Sequence, residues 1–274
     1  MNLIDAMRTE YGRSKRFWHW SLGFSLLLYL LAALSVFYSA GWGVKTIGVI
    51  AFIIQILLFF SRALTGRHFS LGEQIRRLAM LNDGLGKSPS ELQLAKLKEK
   101  IGVIETDEPA YVGPYYESKL PVGPKRLLEI VAESAFFTSG LARTSVYVFG
   151  VISIVGVLLV FTGLIFVLKT ELSQSNLDAA AKIAVISMAF WATGDLASTA
   201  LRFNSLANAS EKILDQCGYF LTQAGDCRDE AHATAAEYNC AVIQTPPIPA
   251  FIYKWRQNIL NEAWRNRKAK ASTT

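Results

Sequence analysis

The sequence predicts an all-α membrane protein: four transmembrane helices arranged as two hairpins, with a cytoplasmic helical middle segment and C-terminal helices. Three observations carry this. Four long apolar stretches occupy 17–37, 44–64, 146–168 and 178–201, and a helix needs about 20 apolar residues to cross a hydrocarbon core about 30 Å thick. A chain in lipid must satisfy its backbone N–H and C=O groups within each segment, so all four stretches are helices. Basic residues, finally, collect on one side of the stretches only.

That asymmetry sets the topology. Arg8, Arg13, Lys15 and Arg16 precede the first span; Arg62, Arg67, Arg76 and Arg77 follow the second. Lys119, Lys125, Arg126 and Arg143 lead into the third, and Arg202 with Arg265, Arg267, Lys268 and Lys270 follows the fourth. The short hairpin connections hold only Lys45, and Lys169 with Lys182. The positive-inside rule then places both termini and the middle segment in the cytoplasm of a multi-pass protein. It also accounts for the net charge of +6. Each juxtamembrane Lys or Arg gains about 1 kcal/mol beside anionic lipid, so the partner is the bilayer and not nucleic acid. The first apolar run is too long for a cleaved signal and a second follows at once.

Four segments result: an N-terminal arm with the first hairpin (1–65), a cytoplasmic helical segment (66–143), the second hairpin (144–202) and a cytoplasmic helical tail (203–274). In the middle segment, Phe69, Leu71, Ile75, Leu78 and Leu81 recur at helical spacing beside Glu73, Arg76 and Arg77. This predicts an amphipathic helix leaving the second span and ending at Asn82-Asp83-Gly84. Ser88-Pro89-Ser90-Glu91 reads as the next helix start, carrying Leu92, Leu94, Leu97 and Ile101, and 102–114 reads as irregular. From Pro124 a helix runs into the third span with Gly140 its weak point. Arg126 and Glu129 are spaced to pair along it. Such a continuous helix is suited to carry a cytoplasmic displacement into the bilayer.

Past the fourth span, Leu206, Ala209, Ile213, Leu214 and 219–221 continue an apolar stripe, followed by a turn at Gly225-Asp226 and a helix over 228–242. Pro246-Pro247-Ile248-Pro249 breaks that helix, because proline lacks a donor and disfavours the α region before itself. These prolines make a fixed corner before a last amphipathic helix over 251–267.

The chemistry of catalysis is missing from this pattern. No glycine loop cradles phosphate, no His-Glu pair marks a metal helix, and no Gly-x-Ser-x-Gly elbow is present. His19 lies between Trp18 and Trp20 as part of an aromatic belt, and His68 also lies at a membrane boundary. Cys217, Cys227 and Cys240 read as ordinary thiols, their spacing with His232 fitting no common zinc site. The expectation is a protein that is not an enzyme and uses no cofactor or metal. Within the spans, Asp195, Ser198, Thr199 and Gln55 are the candidates for a polar pore lining. The alternatives are an Asp195 that reaches the interface or pairs with Arg202 or Arg143, and a Gln55 that packs between helices. Gly150, Gly156 and Gly163 recur at about two helical turns and suggest close helix packing.

The run Ala236-Glu237-Tyr238-Asn239, then Pro246-Pro247-Ile248-Pro249, Tyr253-Lys254 and Leu260-Asn261-Glu262-Ala263-Trp264 resembles the C-terminal signature of bacterial SMODS-associating four-transmembrane effectors, related to the SLATT effectors. The residues carrying it, Pro246, Pro247, Pro249, Tyr253, Asn261 and Trp264, are structural in character. The resemblance implies a pore-forming effector of anti-phage defence in the bacterial inner membrane. Such an effector is a homo-oligomer that permeabilises the membrane in abortive infection, triggered by a nucleotide second messenger or a partner defence protein. The alternatives are a non-conducting scaffold or sensor subunit that recruits a cytoplasmic partner, and a small transporter.

Overall fold

The computed structural model describes residues 2–35, 42–102, 115–169 and 195–271. Among these residues the regular structure is helical: α1 Leu3–Ser35, α2 Trp42–Leu85, α3 Glu91–Ile101, α4 Pro124–Lys169, α5 Asp195–Thr222, α6 Arg228–Ile243 and α7 Ala250–Ala271. Three of them, α1, α2 and α4, are long and apolar enough to cross a membrane. The expected fourth span is not among them, since residues 178–194 lie outside the described residues. So do the irregular segment expected before Tyr115 and the side chain of Asp195.

The chain divides into two compact units. One gathers Met1–Lys15, Gly66–Ser145 and Arg202–Thr274; the other gathers Arg16–Thr65 and Val146–Leu201. The middle segment, the tail and the N-terminal arm, expected as separate segments, thus share one unit. It is called the polar unit below, and the other the apolar unit.

In the apolar unit the large side chains point outwards. Phe52, Phe59, Ile154 and Leu158 are all more than half exposed, a surface that water does not tolerate over such an area and that lipid tails do. Four of its described hydroxyls are satisfied by the helix they sit on. Ser21 Oγ donates to Trp18 O at 2.8 Å, Ser61 to Leu58 O at 3.0 Å, Thr65 to Ser61 O at 2.8 Å and Ser153 to Phe149 O at 2.8 Å. Such back-bonding lets a hydroxyl enter hydrocarbon without a second chain. Trp18 is buried edge-on to Phe149, with ring centroids 5.9 Å apart, while Trp20 is exposed. Of the glycines singled out on α4, Gly156 is buried, while a Cβ at Gly150 would meet open space within one chain.

The polar unit is built like a soluble protein. Ala6 and Met7 of α1, Leu71 and Ile75 of α2, and Leu97 and Ile101 of α3 form one buried cluster. The start of α3 follows from its sequence. Ser90 Oγ accepts from Gln93 N at 3.2 Å while Gln93 Oε1 accepts from Ser90 N at 3.0 Å, a reciprocal capping box. Its other end is tied to α1, because Arg13 Nη1 donates to Ile101 O at 2.8 Å.

Close approaches to other elements mark Gly84 and Gly140, as one to Tyr11 marks Gly72. A Cβ at Gly84 would lie 2.9 Å from the Cα of Leu127, and Gly84 O accepts from Gly123 N at 2.8 Å. That clamps the end of α2 to the start of α4. Gly140, foreseen as a weak point, instead leaves α4 unbroken and receives Leu260 of α7, whose Cδ2 lies 2.5 Å from where a Cβ would be. The prolines make the corner that the sequence predicts. Thr245 N and Oγ1 both donate to Val242 O, ending α6, and Pro249, fully buried, opens α7 by accepting from Ile252 N at 3.1 Å. Pro247 is buried beside it and Pro246 half-buried.

Candidate functional site

Among the described residues a buried, densely bonded polar site lies inside the polar unit, where α1, α2, α4 and α6 meet. Glu73 and Arg76 stand three apart on α2, which puts them on one face of the helix. Both are buried, at 4% and 8% exposure. This corrects the reading of that face as a charged one beside the apolar stripe; only Arg77 of the three charges is exposed. Arg76 Nε and Nη2 donate to Glu73 Oε2 at 2.9 and 2.6 Å, and Nη2 donates again to Asn239 Oδ1 on α6 at 2.8 Å. Tyr11 of α1 donates to the other oxygen, Glu73 Oε1. The guanidinium lies 4.8 Å from the centre of the Tyr238 ring, a cation–π contact.

Tyr238 passes the network on to α4. Its hydroxyl donates to Ser134 O at 3.1 Å and so accepts from Thr138 Oγ1 at 2.7 Å. Burial raises the Tyr238 and Tyr116 hydroxyls above the usual tyrosine range, so both stay protonated donors at any physiological pH. Arg76 Nη1 and Tyr116 Oη are buried with no hydrogen-bond partner. The arrangement can lock four helices together through charge.

Four further clusters lie in the same unit. Glu10, fully buried, accepts from Arg13 Nη1 at 2.9 Å and contacts His68 Nδ1 at 2.7 Å, so His68 is bonded within the polar unit. Arg126 does not pair with Glu129, as its spacing suggested. It reaches Asp83 at 2.5 Å and donates to Asp83 O and Leu120 O. Glu129 instead accepts from Ser118 and pairs with Lys268 of α7 at 3.0 Å. Arg143 donates twice to Glu211, at 3.1 and 2.8 Å, and to Asn208 at 2.9 Å. Arg126, Glu129 and Arg143 thus take partners from across the fold, whereas Arg13 pairs with Glu10 three residues before it.

The residues singled out as pore lining are not brought together among the described residues. Gln55 is exposed on α2, between exposed Phe52 and Phe59. Ser198 is exposed and Thr199, beside it on α5, is buried. Of the signature residues, Trp264 is buried with its ring 5.2 Å from Phe136, Asn261 is half-buried and Tyr253 is exposed. A groove of about 290 Å³ opens between α5 and α6, lined by Arg202, Ser205, Glu237, Cys240 and Gln244 among others. Its volume is at the lower bound of small-molecule sites. Among the described residues no three His, Cys, Asp or Glu side chains are placed to hold a metal.

Compared with known proteins, the chain matches no family model, no curated protein and no solved structure.

Proposed function

We propose that this chain is an inner-membrane effector that assembles from several copies and permeabilises the membrane on a cytoplasmic trigger, in the defence role that its C-terminal signature suggests. The observation that carries the reading is the position of Gln55. It is exposed on α2 among exposed Phe52, Ile56 and Phe59. An amide facing hydrocarbon is costly unless it is hydrogen-bonded, and glutamine serves as a bonding group between membrane helices. A neighbouring copy supplies the partner, and several copies bring their amides towards one axis. The hydroxyls of Ser21, Ser61, Thr65 and Ser153 already bond to their own helices, so a conducting path within one subunit has little polar surface to use. The trigger is received by the polar unit, whose helices are joined by the Glu73–Arg76–Asn239 network.

Purified protein in dye-loaded liposomes tests this. Gln55→Cys should cross-link between copies on oxidation, and Gln55→Leu should slow dye release relative to wild type. Absence of both cross-links and release would favour a non-conducting scaffold.

A further inference from the structure

We propose that the outward face of α7 is a membrane-surface anchor, seated at the boundary between headgroups and acyl chains. The inference requires that the chain spans a bilayer and does not require that it conducts. Helix α7 is divided along its length. Ile252, Leu260 and Trp264 are buried in the polar unit, while Phe251, Trp255 and Ile259, spaced by four, are each at least half exposed. Residues four apart stack on one face of a helix, so these three form a single stripe. Beside the stripe stand Lys254 and Arg256; Arg265, Arg267, Lys268 and Lys270 follow towards the other end of the helix, and Glu262 lies one turn past Ile259.

The direction of α7 places the stripe. Leu260 packs on Gly140, Trp264 stacks near Phe136, and Lys268 pairs with Glu129. As the α7 number rises the α4 number falls, so the two helices run antiparallel. The Phe251 end of α7 therefore points along α4 towards Ser145, directly before the expected third span begins at Val146. The Lys268 end points away. A tryptophan with exposed aliphatic and aromatic neighbours, flanked by lysine and arginine, has the chemistry of an interfacial helix.

The stripe and the two cations beside it select the occupant. Anionic lipid complements Lys254 and Arg256, each cation near such a surface gaining about 1 kcal/mol.

The test uses the full chain in liposomes of zwitterionic and anionic phospholipid, with acyl chains brominated or not. The emission of wild type minus that of Trp255→Phe isolates Trp255. We expect brominated acyl chains to remove most of that difference emission, aqueous acrylamide to remove little, and dilution of protein into lipid to change neither result. Quenching by acrylamide with no effect of bromine would overturn the proposal by placing Trp255 in water. Protection from both quenchers that is lost on dilution would overturn it in favour of a second copy. Ile259→Cys carrying a bimane label reads the same stripe with Trp255 intact, should the first variant fold poorly.

Discussion

Exchanging Glu73 for glutamine removes one charge from a pair that the polar unit holds away from water. Arg76, 8% exposed, is then a buried cation whose remaining partners are Asn239 Oδ1 at 2.8 Å and the face of Tyr238 at 4.8 Å. Its Nη1 already lacks a hydrogen-bond partner, so the guanidinium has no reserve of bonding. Stranding one member of a buried pair costs about 3–5 kcal/mol. At about 1.4 kcal/mol per factor of ten, opening of this unit becomes more frequent by about two to four powers of ten. Arg76→Met should cost a similar amount, because it leaves the Glu73 carboxylate buried with the Tyr11 hydroxyl alone. The double variant removes both charges and should be more stable than the sum of the singles implies, by about 2 kcal/mol or more. Native-state hydrogen exchange in detergent micelles reads this locally, at the amides of 72–80 on α2 and 235–242 on α6. Single variants that each cost under about 1 kcal/mol and simply add would refute the reasoning. That is the behaviour of a solvent-exposed ion pair.

The contact between α4 and α7 gives a second prediction. Gly140→Ala should loosen α7 by about 1–3 kcal/mol through overpacking, and Leu260→Ala in the same chain should recover part of that loss, read as exchange at the amides of 252–264. The thiols give a third. Cys240 is exposed and should react at once with a maleimide, while Cys227 is buried. The Cys217 thiol is buried and pushed up to about 12 by desolvation, so it should remain unlabelled until the polar unit is unfolded.

What the sequence made legible was what local chemistry decides. Ser90 caps α3 because its hydroxyl and Gln93 satisfy each other's backbone, and the two residues lie only three apart in sequence. The prolines between Ile243 and Ala250 separate α6 from α7 by removing donors, and Gly225, with φ of +147°, turns the chain between α5 and α6. The apolar stretches gave α1, α2 and α4 as long helices because periodicity and length suffice for that. What escaped was decided across the fold. Glu73 and Arg76 read as surface charges because a helix face beside an apolar stripe is usually solvated; here α1 and α6 cover it, with Tyr11 and Asn239 arriving from 62 and 163 residues away. Arg126 had Glu129 within helical reach but found Asp83, 43 residues back, because Gly84 brings the end of α2 against Leu127. Glu129, left free of Arg126, is claimed by Lys268. No signal in the sequence distinguishes these partners. For Gln55 the sequence supplied the residue, and the structure supplied its exposure.

The central claim is that assembled copies permeabilise a membrane, and membrane potential in a bacterial host tests it most directly. Potential-sensitive dye fluorescence is followed during induced expression, with and without phage, for wild type and for Gln55→Leu. The account predicts a loss of potential that tracks expression or infection in the wild type and is weaker in Gln55→Leu. A membrane that holds its potential in every condition, with the protein present in the membrane fraction, would contradict it.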